Sequence, residues 1–174
     1  MVQKNVCAKF MVKIMTNSTC DISDKLHPEV QYLEPIYKSY GVKTSFSGRI
    51  VTIKCFEDNS LVEEALKQDG KDSVLIIDAG GSMNCAMLGD KRAADAICNN
   101  WQGIIINGLI RDSALINNMP IGIRALGVCP LKSNKKGVGE KNLIVNFSNV
   151  KFTPNQYLYA DEDGVIVTKN KVDL

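Results

Sequence analysis

Several features that mark particular classes of protein are scarce or missing in this sequence of 174 residues. His27 is the single histidine, and no two of the six cysteines are spaced as Cys-x-x-Cys, so neither a zinc site nor a disulfide scaffold is expected. No run approaches the roughly 18 apolar residues of a membrane-spanning helix, and lysines interrupt the N-terminus, which argues against a secretory leader. We therefore expect a cytoplasmic protein with reduced, buried thiols and no membrane partner.

Charge and composition are close to those of an ordinary globular protein. A net charge of +2 is too small to indicate the clustered basic face of a nucleic-acid-binding protein, so no direct contact with nucleic acid is expected. The densest basic stretch, residues 132–137, is predicted to be a solvated loop. A chain of this length can bury a core without disulfides. We expect residues 15–174 to form one domain, with residues 1–14 as a loose N-terminal extension.

A buried strand, a helix and a second buried strand are predicted in the middle of the chain. Residues 74–78 and 104–107 are continuously apolar, which is typical of strands covered on both faces. Between them, residues 91–101 carry small and apolar side chains at the spacing of one helical face, and Gly103 is expected to end that helix. This order predicts a right-handed βαβ crossover with parallel strands.

The flanking segments add further strands and one helix. Residues 45–56 alternate and are rich in β-branched side chains, which predicts a strand. Ser60 and Glu63 have the spacing of a capping box at the start of a helix that Gly70 would end. The C-terminal third contains stretches typical of short antiparallel strands. The predicted fold class is therefore α/β, a single domain with a central βαβ unit and a strand-rich C-terminal third.

Two polar corners flank the predicted helix and return strand. Gly89 and Asp90 stand where the helix would begin, and Arg111 and Asp112 follow the second strand. Parallel strands place their C-terminal ends on one edge of the sheet, where ligands of open α/β sheets commonly bind. We therefore expect the loops at 80–90 and 108–112 to be neighbours, although twenty residues separate Asp90 from Arg111.

The residue types in these corners are suited to binding a small 2-oxo acid. The amides of Lys91 and Arg92, at a helix N-terminus, can point at a carboxylate. Arg111 offers a planar fork of donors, and Asp112 offers a hard oxygen that with several waters is enough for Mg²⁺. From the residues alone, two plainer interpretations stay open. Asp90 could be only an N-cap, and Arg111 and Asp112 could be only a surface ion pair.

Several segments also resemble a known family. IKCFEDN, DAGGS, GLIRD and GIRALGVCP, within a match from about Ser18 to Val167, are similar to the family that contains regulator of ribonuclease E activity A and the class II 4-hydroxy-4-methyl-2-oxoglutarate aldolases. In that family the metal-dependent aldolases are marked by an aspartate, twenty intervening residues and then Arg-Asp. Asp90, Arg111 and Asp112 match this spacing in full. The resemblance implies a swivelling β/β/α-type domain that assembles as a homotrimer.

The resemblance also implies an activity and a role for each site residue. It implies a divalent-metal-dependent aldolase that cleaves 4-hydroxy-4-methyl-2-oxoglutarate to two pyruvates through a pyruvate enolate, with oxaloacetate decarboxylation as a side activity. Arg111 would contact the substrate and steady the enolate, and Asp112 would ligate the metal, with Mg²⁺ expected and Mn²⁺ as the alternative. The substrate-binding segment would consist of Gly89, Asp90, Lys91 and Arg92.

Further hypotheses complete this interpretation. Asp90, through a water, is the candidate for proton transfer. The resemblance also implies a lysine near the site, either Lys135 or Lys136. A Schiff-base mechanism would need a buried lysine, and the only strand-borne candidate is Lys54, whose position in the alternating pattern favours the solvated face. The alternative function is a trimeric regulator that binds and inhibits ribonuclease E. That function would need an exposed surface rather than a metal site.

Overall fold

The computed structural model describes residues 18–173 of the chain. The predicted extension at residues 1–14 lies outside the described residues. The helices within them are α1 (Thr19–Leu26), α2 (Ser60–Leu66), α3 (Asp90–Cys98) and α4 (Ser113–Ile116). The strands are β1 (Gln31–Tyr32), β2 (Lys38–Tyr40), β3 (Phe46–Lys54), β4 (Ser73–Asp78), β5 (Ala86–Leu88), β6 (Gly103–Ile110), β7 (Ile123–Val128), β8 (Glu140–Lys141), β9 (Val145–Phe147), β10 (Val150–Phe152), β11 (Tyr157–Ala160) and β12 (Val165–Thr168). None of these helices is long and apolar enough to cross a membrane.

Ten of the described strands form one mixed sheet. Its order is β1-β12-β11-β3-β4-β6-β7-β2, with β5 added to β6 and β8 added to β3. The central strands β3, β4, β6 and β7 are parallel, whereas β11, β12, β1 and β2 pair antiparallel. Strands β9 and β10 form a separate antiparallel pair. The predicted βαβ unit with parallel strands and the antiparallel C-terminal strands are therefore confirmed.

Strand β4 shows how the sequence specifies three layers. All six of its residues are buried, and successive side chains point to opposite faces. Leu75 and Ile77 pack in a cluster that contains the apolar residues of α2, α3 and α4. Val74 and Ile76 pack in a second cluster with the aromatic and aliphatic residues of β9 and β10. The layers are thus a small sheet, a large sheet and the helices, which agrees with the expected β/β/α arrangement.

The predicted capping box of α2 is wrong. The N-cap is Asn59, which makes no side-chain cap, and Ser60 is already the first helical residue. The Ser60 N–H donates to the Asp58 carboxylate at 2.8 Å, so a different acidic residue satisfies this end of the helix. The helix ends at Leu66 rather than at Gly70. Gly70 is needed elsewhere, because a Cβ on it would lie 2.1 Å from the Trp101 ring.

Helix α3 begins and ends earlier than the sequence indicates. Asp90 is its first residue and Gly89 is its N-cap, so the interpretation of Asp90 as an N-cap is wrong. The helix ends at Cys98, and Asn100 then adopts a left-handed conformation with φ 64°. Gly103 therefore opens β6 and does not end the helix. The observed start places the N-terminus of α3 directly beside the end of β6.

Strand β5 was not predicted, and it changes the form of the expected loop at 80–90. Strand β4 ends at Asp78, opposite Asn107 of β6, but β6 continues for three more residues. There β5 takes the place of β4, with Ala86 opposite Leu109 and Leu88 opposite Ile110. This pairing carries the chain directly to the start of α3.

The cysteines agree only partly with the prediction of buried thiols. Five lie in the described residues, and all five are free. Cys55 and Cys85 are buried, but Cys20 and Cys98 are exposed. Cys98 is exposed because the buried face of α3 carries Ala93 and Ala96, and the last residue of the helix lies off that face.

Candidate active site

The two polar corners are in contact. The Arg111 N–H donates to the Leu88 carbonyl oxygen at 2.9 Å, which extends the β5–β6 pairing past the end of β6. The Asp90 N–H donates weakly to Asp112 Oδ2 at 3.4 Å. The expected approach of the two corners is therefore confirmed. It is achieved through a short added strand and not through two open loops.

Asp112 is held in an unusual backbone conformation that directs its carboxylate toward α3. Its φ of 56° and ψ of 33° are left-handed, a region that aspartate tolerates better than most residues. Asp112 Oδ2 accepts a hydrogen bond from Arg111 Nε at 3.1 Å. A Cβ on Gly89 would lie only 2.7 Å from the same oxygen. A side chain at position 89 would displace the Asp112 carboxylate, so glycine there leaves this carboxylate its observed place beside α3.

The N-terminus of α3 offers fewer free amides than expected. The Arg92 N–H already donates to the Gly89 carbonyl oxygen at 3.1 Å, so it is not a free donor. Among residues 18–173, no hydrogen-bond acceptor faces the Lys91 N–H. One unpaired amide at the positive end of a helix is a suitable donor to a carboxylate.

Arg111 and Asp90 present unengaged polar atoms beside this amide. The Arg111 side chain is 38% exposed, and beyond Nε its terminal nitrogens make no hydrogen bond within the described part of the chain. The Asp90 carboxylate likewise accepts no hydrogen bond from residues 18–173, and its side chain is only half-buried. A planar donor fork and a free carboxylate therefore face the same space.

That space is a cavity of about 250 Å³. Its volume suits a small organic acid with several waters, since each water occupies about 30 Å³ in the liquid. Its walls are formed by Asn59, Ala86, Leu88, Gly89, Asp90, Lys91, Arg92, Arg111, Lys132, Ser133 and Lys135. The predicted substrate-binding residues all line this cavity. Asp112 does not line it, but it accepts a hydrogen bond from Arg111, which does.

One wall comes from a segment that was predicted to be only a solvated loop. The Ala86 N–H donates to the Leu131 carbonyl oxygen at 2.8 Å, and the Ser133 N–H donates to the Ala86 carbonyl oxygen at 3.2 Å. This pairing places the segment beside β5 at the edge of the large sheet, and it brings Lys132 and Lys135 to the cavity. The prediction of a solvated loop is confirmed, since all of residues 132–137 except Ser133 are exposed, but the segment also forms part of the cavity wall.

Of the two lysines expected near the site, the structure places one there. Lys135 lines the cavity, whereas Lys136 does not. The Lys136 N–H instead donates to Asp58 Oδ2 at 2.7 Å, which anchors the loop. The sequence interpretation missed Lys132, although it is the first lysine of the basic stretch.

Two uncharged polar side chains in the cavity wall were also missed. Ser133 is 7% exposed, and its Oγ has no hydrogen-bond partner among the described residues. Asn59 Nδ2 donates to the Met87 carbonyl oxygen at 3.2 Å, but within the same residues Asn59 Oδ1 has no partner. A buried polar atom without a partner costs about 1–3 kcal/mol.

Two carboxylates that contact the loop at residues 132–137 stay ionised. Hydrogen bonds from Lys135 and Lys67 hold the pKa of the Glu63 carboxyl at about 2, and Arg92 contributes to the same shift. Burial would raise the pKa of the Asp58 carboxyl, but hydrogen bonds from Ser60 and from loop amides outweigh burial and lower that pKa to about 2. Both groups are therefore charged across the neutral range.

The residues present fit a hydrated hard cation better than a metal held entirely by protein. Within residues 18–173 no group of three His, Cys, Asp or Glu side chains is close enough to enclose an ion. Asp112 supplies carboxylate oxygens beside the space that Gly89 leaves open. Mg²⁺ commonly binds one or two carboxylates and keeps several waters. Asp112 is therefore the residue that would hold such an ion.

Lys54 is not placed for Schiff-base chemistry. It is the last residue of β3, its side chain is exposed, and it does not line the cavity. The interpretation that left Lys54 on the solvated face of its strand is confirmed.

Three known proteins resemble this chain over most of their length. A relative from Dechloromonas aromatica (strain RCB), provisionally named 4-hydroxy-4-methyl-2-oxoglutarate aldolase, is 52% identical over 158 residues, which cover 88% of this chain and 97% of the relative. A crystal structure from Geobacillus kaustophilus HTA426, named S-adenosylmethionine: 2-dimethylmenaquinone methyltransferase, matches with a TM-score of 0.87 and 44% identity, covering 90% of this chain and 97% of that one. The RNA-processing inhibitor RraA from Thermus thermophilis matches with a TM-score of 0.88 and 37% identity, covering 91% and 96%.

The three names describe different activities, but each similarity covers at least 88% of this chain. The sequence model described as RraA-like, Aldolase/RraA, matches residues 19–167, close to the range over which the motifs resemble this family. The chain therefore belongs to the RraA-like family, Aldolase/RraA.

Proposed function

We propose that this protein is a 4-hydroxy-4-methyl-2-oxoglutarate aldolase that depends on a divalent metal and releases two pyruvates. One observation carries the proposal: Asp90 and Arg111 line one small cavity although twenty residues separate them, and Asp112 accepts a hydrogen bond from each of them. Relatives at 45–52% identity bear the name of this activity. Mg²⁺ is the expected metal and Mn²⁺ the alternative, because oxygen ligands suit both.

The substrate would bind with its pyruvoyl end in the polar corner. Its carboxylate would accept a hydrogen bond from the Lys91 N–H at the start of α3. The Arg111 fork would face the 2-oxo group. A charge-assisted hydrogen bond of this kind contributes about 1.5–3 kcal/mol.

The reaction breaks a carbon–carbon bond next to a ketone and leaves the electron pair as a pyruvate enolate. A catalyst must stabilise the charge on the enolate oxygen more strongly in the transition state than in the ground state. Arg111 supplies a fixed positive charge for that oxygen. A divalent ion held by Asp112 and waters would add Lewis-acid polarisation of the same group.

Proton transfer is assigned to Asp90. Cleavage requires a base to take the proton of the C4 hydroxyl, and the enolate carbon must then receive a proton to become the pyruvate methyl group. The Asp90 carboxylate accepts no hydrogen bond from residues 18–173, so it is free to act through a water. One carboxyl group can serve both steps, since it takes one proton and returns one.

Decarboxylation of oxaloacetate is the proposed side activity. It passes through the same enolate but requires no removal of a hydroxyl proton. Loss of Asp90 should therefore reduce aldol cleavage more than decarboxylation. Loss of Arg111 or Asp112 should reduce both.

A coupled assay of pyruvate release tests the proposal. Wild type, Arg111→Ala and Asp112→Ala are compared on 4-hydroxy-4-methyl-2-oxoglutarate and on oxaloacetate, each with Mg²⁺ and with EDTA. Wild type should be active with Mg²⁺ and inactive in EDTA, and both variants should lose activity. Equal rates for all three proteins would refute the enzyme assignment.

A second candidate function is regulation of a ribonuclease. It is favoured by the likeness to the RNA-processing inhibitor RraA, at a TM-score of 0.88. In this role the protein would form a homotrimer in the cytoplasm and bind ribonuclease E. Sedimentation analysis would measure the oligomeric state, and titration of ribonuclease E with wild type and Asp112→Ala would separate this function from catalysis, since surface binding does not need the metal ligand.

A further inference from the structure

Glu63, in α2, is surrounded by three cations. Its Oε1 lies 2.7 Å from Arg92 Nη1 and 2.8 Å from Lys67 Nζ, and its Oε2 contacts the Lys135 ammonium group. Two of these cations, Arg92 and Lys135, also line the candidate cavity, whereas Lys67 does not. Arg92 belongs to the first turn of α3 and Lys135 to the loop opposite, so one carboxylate connects two walls of the cavity.

Glu63 is not needed to hold the loop itself. Asp58 Oδ2 accepts hydrogen bonds from the Lys136 N–H at 2.7 Å and from the Val138 N–H at 3.2 Å. Ser60 Oγ accepts the Gly137 N–H at 3.1 Å. These contacts fix the backbone of the loop independently. What Glu63 fixes is the Lys135 side chain, which is 60% exposed and would otherwise sample many rotamers.

The proposed substrates require a second cationic group. Both 4-hydroxy-4-methyl-2-oxoglutarate and oxaloacetate are dicarboxylic acids, whereas pyruvate carries one carboxylate. The Lys91 amide and Arg111 account for one carboxylate and the 2-oxo group. The second carboxylate needs a partner elsewhere in the cavity, and Arg92 and Lys135 are cations in its walls.

We propose that Glu63 is a positioning residue that holds Arg92 and Lys135 as a subsite for the second carboxylate of the substrate. The inference rests on the proposed function for its substrate class. It implies that the cavity prefers dicarboxylic 2-oxo acids to monocarboxylic ones, and that this preference depends on a residue that touches no substrate atom.

Two effects of removing the Glu63 charge oppose each other. A less negative surrounding would attract an anion more strongly, but salt screens that attraction over about 8 Å at physiological ionic strength. The opposing effect is entropic. Without Glu63 the Lys135 side chain is mobile, and the free-energy cost of ordering it on binding weakens the affinity for the ligand. Because Lys135 is long and exposed, loss of positioning is the larger effect, and Glu63→Gln should weaken binding.

Calorimetric titration in a buffer with Mg²⁺ and 0.15 M salt tests the inference. The probes are 2-oxoglutarate and pyruvate. The first has the substrate's chain length and two carboxylates, but no C4 hydroxyl, so it cannot undergo retro-aldol cleavage. Glu63→Gln should raise the Kd for 2-oxoglutarate about 10-fold and leave the Kd for pyruvate within about 2-fold.

Glu64→Gln is the matched control. Glu64 is the next residue of α2, and it forms an ion pair with Lys141 at 2.7 Å, away from the cavity. The same substitution there also breaks an ion pair on the same helix. It should change neither dissociation constant.

Several results would overturn the inference. One is a Kd for 2-oxoglutarate that is unchanged or lower in Glu63→Gln. A second is an equal rise in the Kd for 2-oxoglutarate and for pyruvate, and a third is a wild type that does not bind 2-oxoglutarate. The proposed function can fail separately. Wild type could show the Glu63-dependent preference for 2-oxoglutarate over pyruvate and yet release no pyruvate from 4-hydroxy-4-methyl-2-oxoglutarate. That result would support the subsite and refute the aldolase assignment.

Discussion

Arg111 and Arg124 show how differently one residue type is used in two regions of this protein. Arg124, on β7, is 5% exposed, and its Nη2 donates to the carbonyl oxygens of Thr44 at 2.9 Å and Asp161 at 2.7 Å. Arg111 is 38% exposed and uses only Nε within the described residues, in its bond to Asp112. The protein itself satisfies Arg124, whereas Arg111 has donors left for a ligand.

The same contrast separates two aspartates. Asp58 is 3% exposed and accepts hydrogen bonds from the backbone N–H groups of Ser60, Lys136 and Val138. Asp90 accepts none from residues 18–173 and lines the cavity. A polar group whose atoms are all engaged by the fold has a structural role. One that is partly buried but unengaged is a candidate for chemistry.

The largest expected effect is the loss of activity in Arg111→Ala. Without the fixed charge beside the enolate oxygen, kcat/KM should fall about 10³-fold, or about 4 kcal/mol. The melting temperature should stay within about 2 °C of wild type, because the side chain holds little of the fold. Pyruvate release and a thermal melt of the same preparation measure both. A large fall in melting temperature would show that Arg111 supports the fold as Arg124 does, and the contrast between the two arginines would be wrong.

Arg124→Met should behave in the opposite way. Removing a buried guanidinium leaves carbonyl oxygens without donors, so the free energy of unfolding should fall by about 3 kcal/mol. Turnover per folded molecule should be unchanged. Urea denaturation followed by circular dichroism gives the first quantity, and activity corrected for the folded fraction gives the second. Loss of specific activity would place Arg124 among the functional residues.

Asp90→Asn should separate the two proposed reactions. Aldol cleavage should fall about 10²-fold, since general acid–base catalysis typically contributes 10²–10⁴-fold. Oxaloacetate decarboxylation should fall less than 10-fold, because it needs no hydroxyl deprotonation. The assay is pyruvate release from each substrate at saturating Mg²⁺. Equal losses on both substrates would make Asp90 a binding residue instead.

Asp58→Asn should alter stability in a pH-dependent way. The pKa of the Asp58 carboxyl is about 2 in the folded protein, below its ordinary value of 3.8. A lowered pKa contributes stability above the unfolded value that is lost as the pH falls through the folded value. Wild type should therefore exceed the variant by about 2 kcal/mol at pH 7, and the difference should shrink between pH 4 and pH 2. Urea titrations at both ends of that range measure it, and a constant difference would contradict the role of the charge.

Much of the fold follows from periodicity in the sequence. The continuously apolar β4 and the amphipathic α3 could be predicted because burial on both faces, or on one helical face, leaves a regular pattern. The meeting of the two corners could also be predicted, since it follows from the geometry of parallel strands. Family resemblance then supplied the roles of the residues, which the pattern alone left open.

The rest depends on contacts between distant parts of the chain. Strand β5 is three residues long, and its place beside β6 is decided by where β4 ends. Ser60 and Glu63 have the spacing of a capping box, yet the Ser60 N–H donates to Asp58 instead. The Glu63 carboxylate forms ion pairs with Arg92 and Lys135, which are distant in sequence. Ser133 has no periodic signal at all. Its importance appears only when the loop pairs with Ala86.

The pairing of β5 with β6 also determines where the chain can change length. Gly89 is fixed against Arg111 and Asp112, so an added residue within α3 or β6 would rotate a helix by about 100° or turn a strand over. An added residue beside the exposed Met83, before β5, would lengthen a surface turn. Natural insertions in this half of the protein should therefore collect before β5 and be absent between the two aspartates.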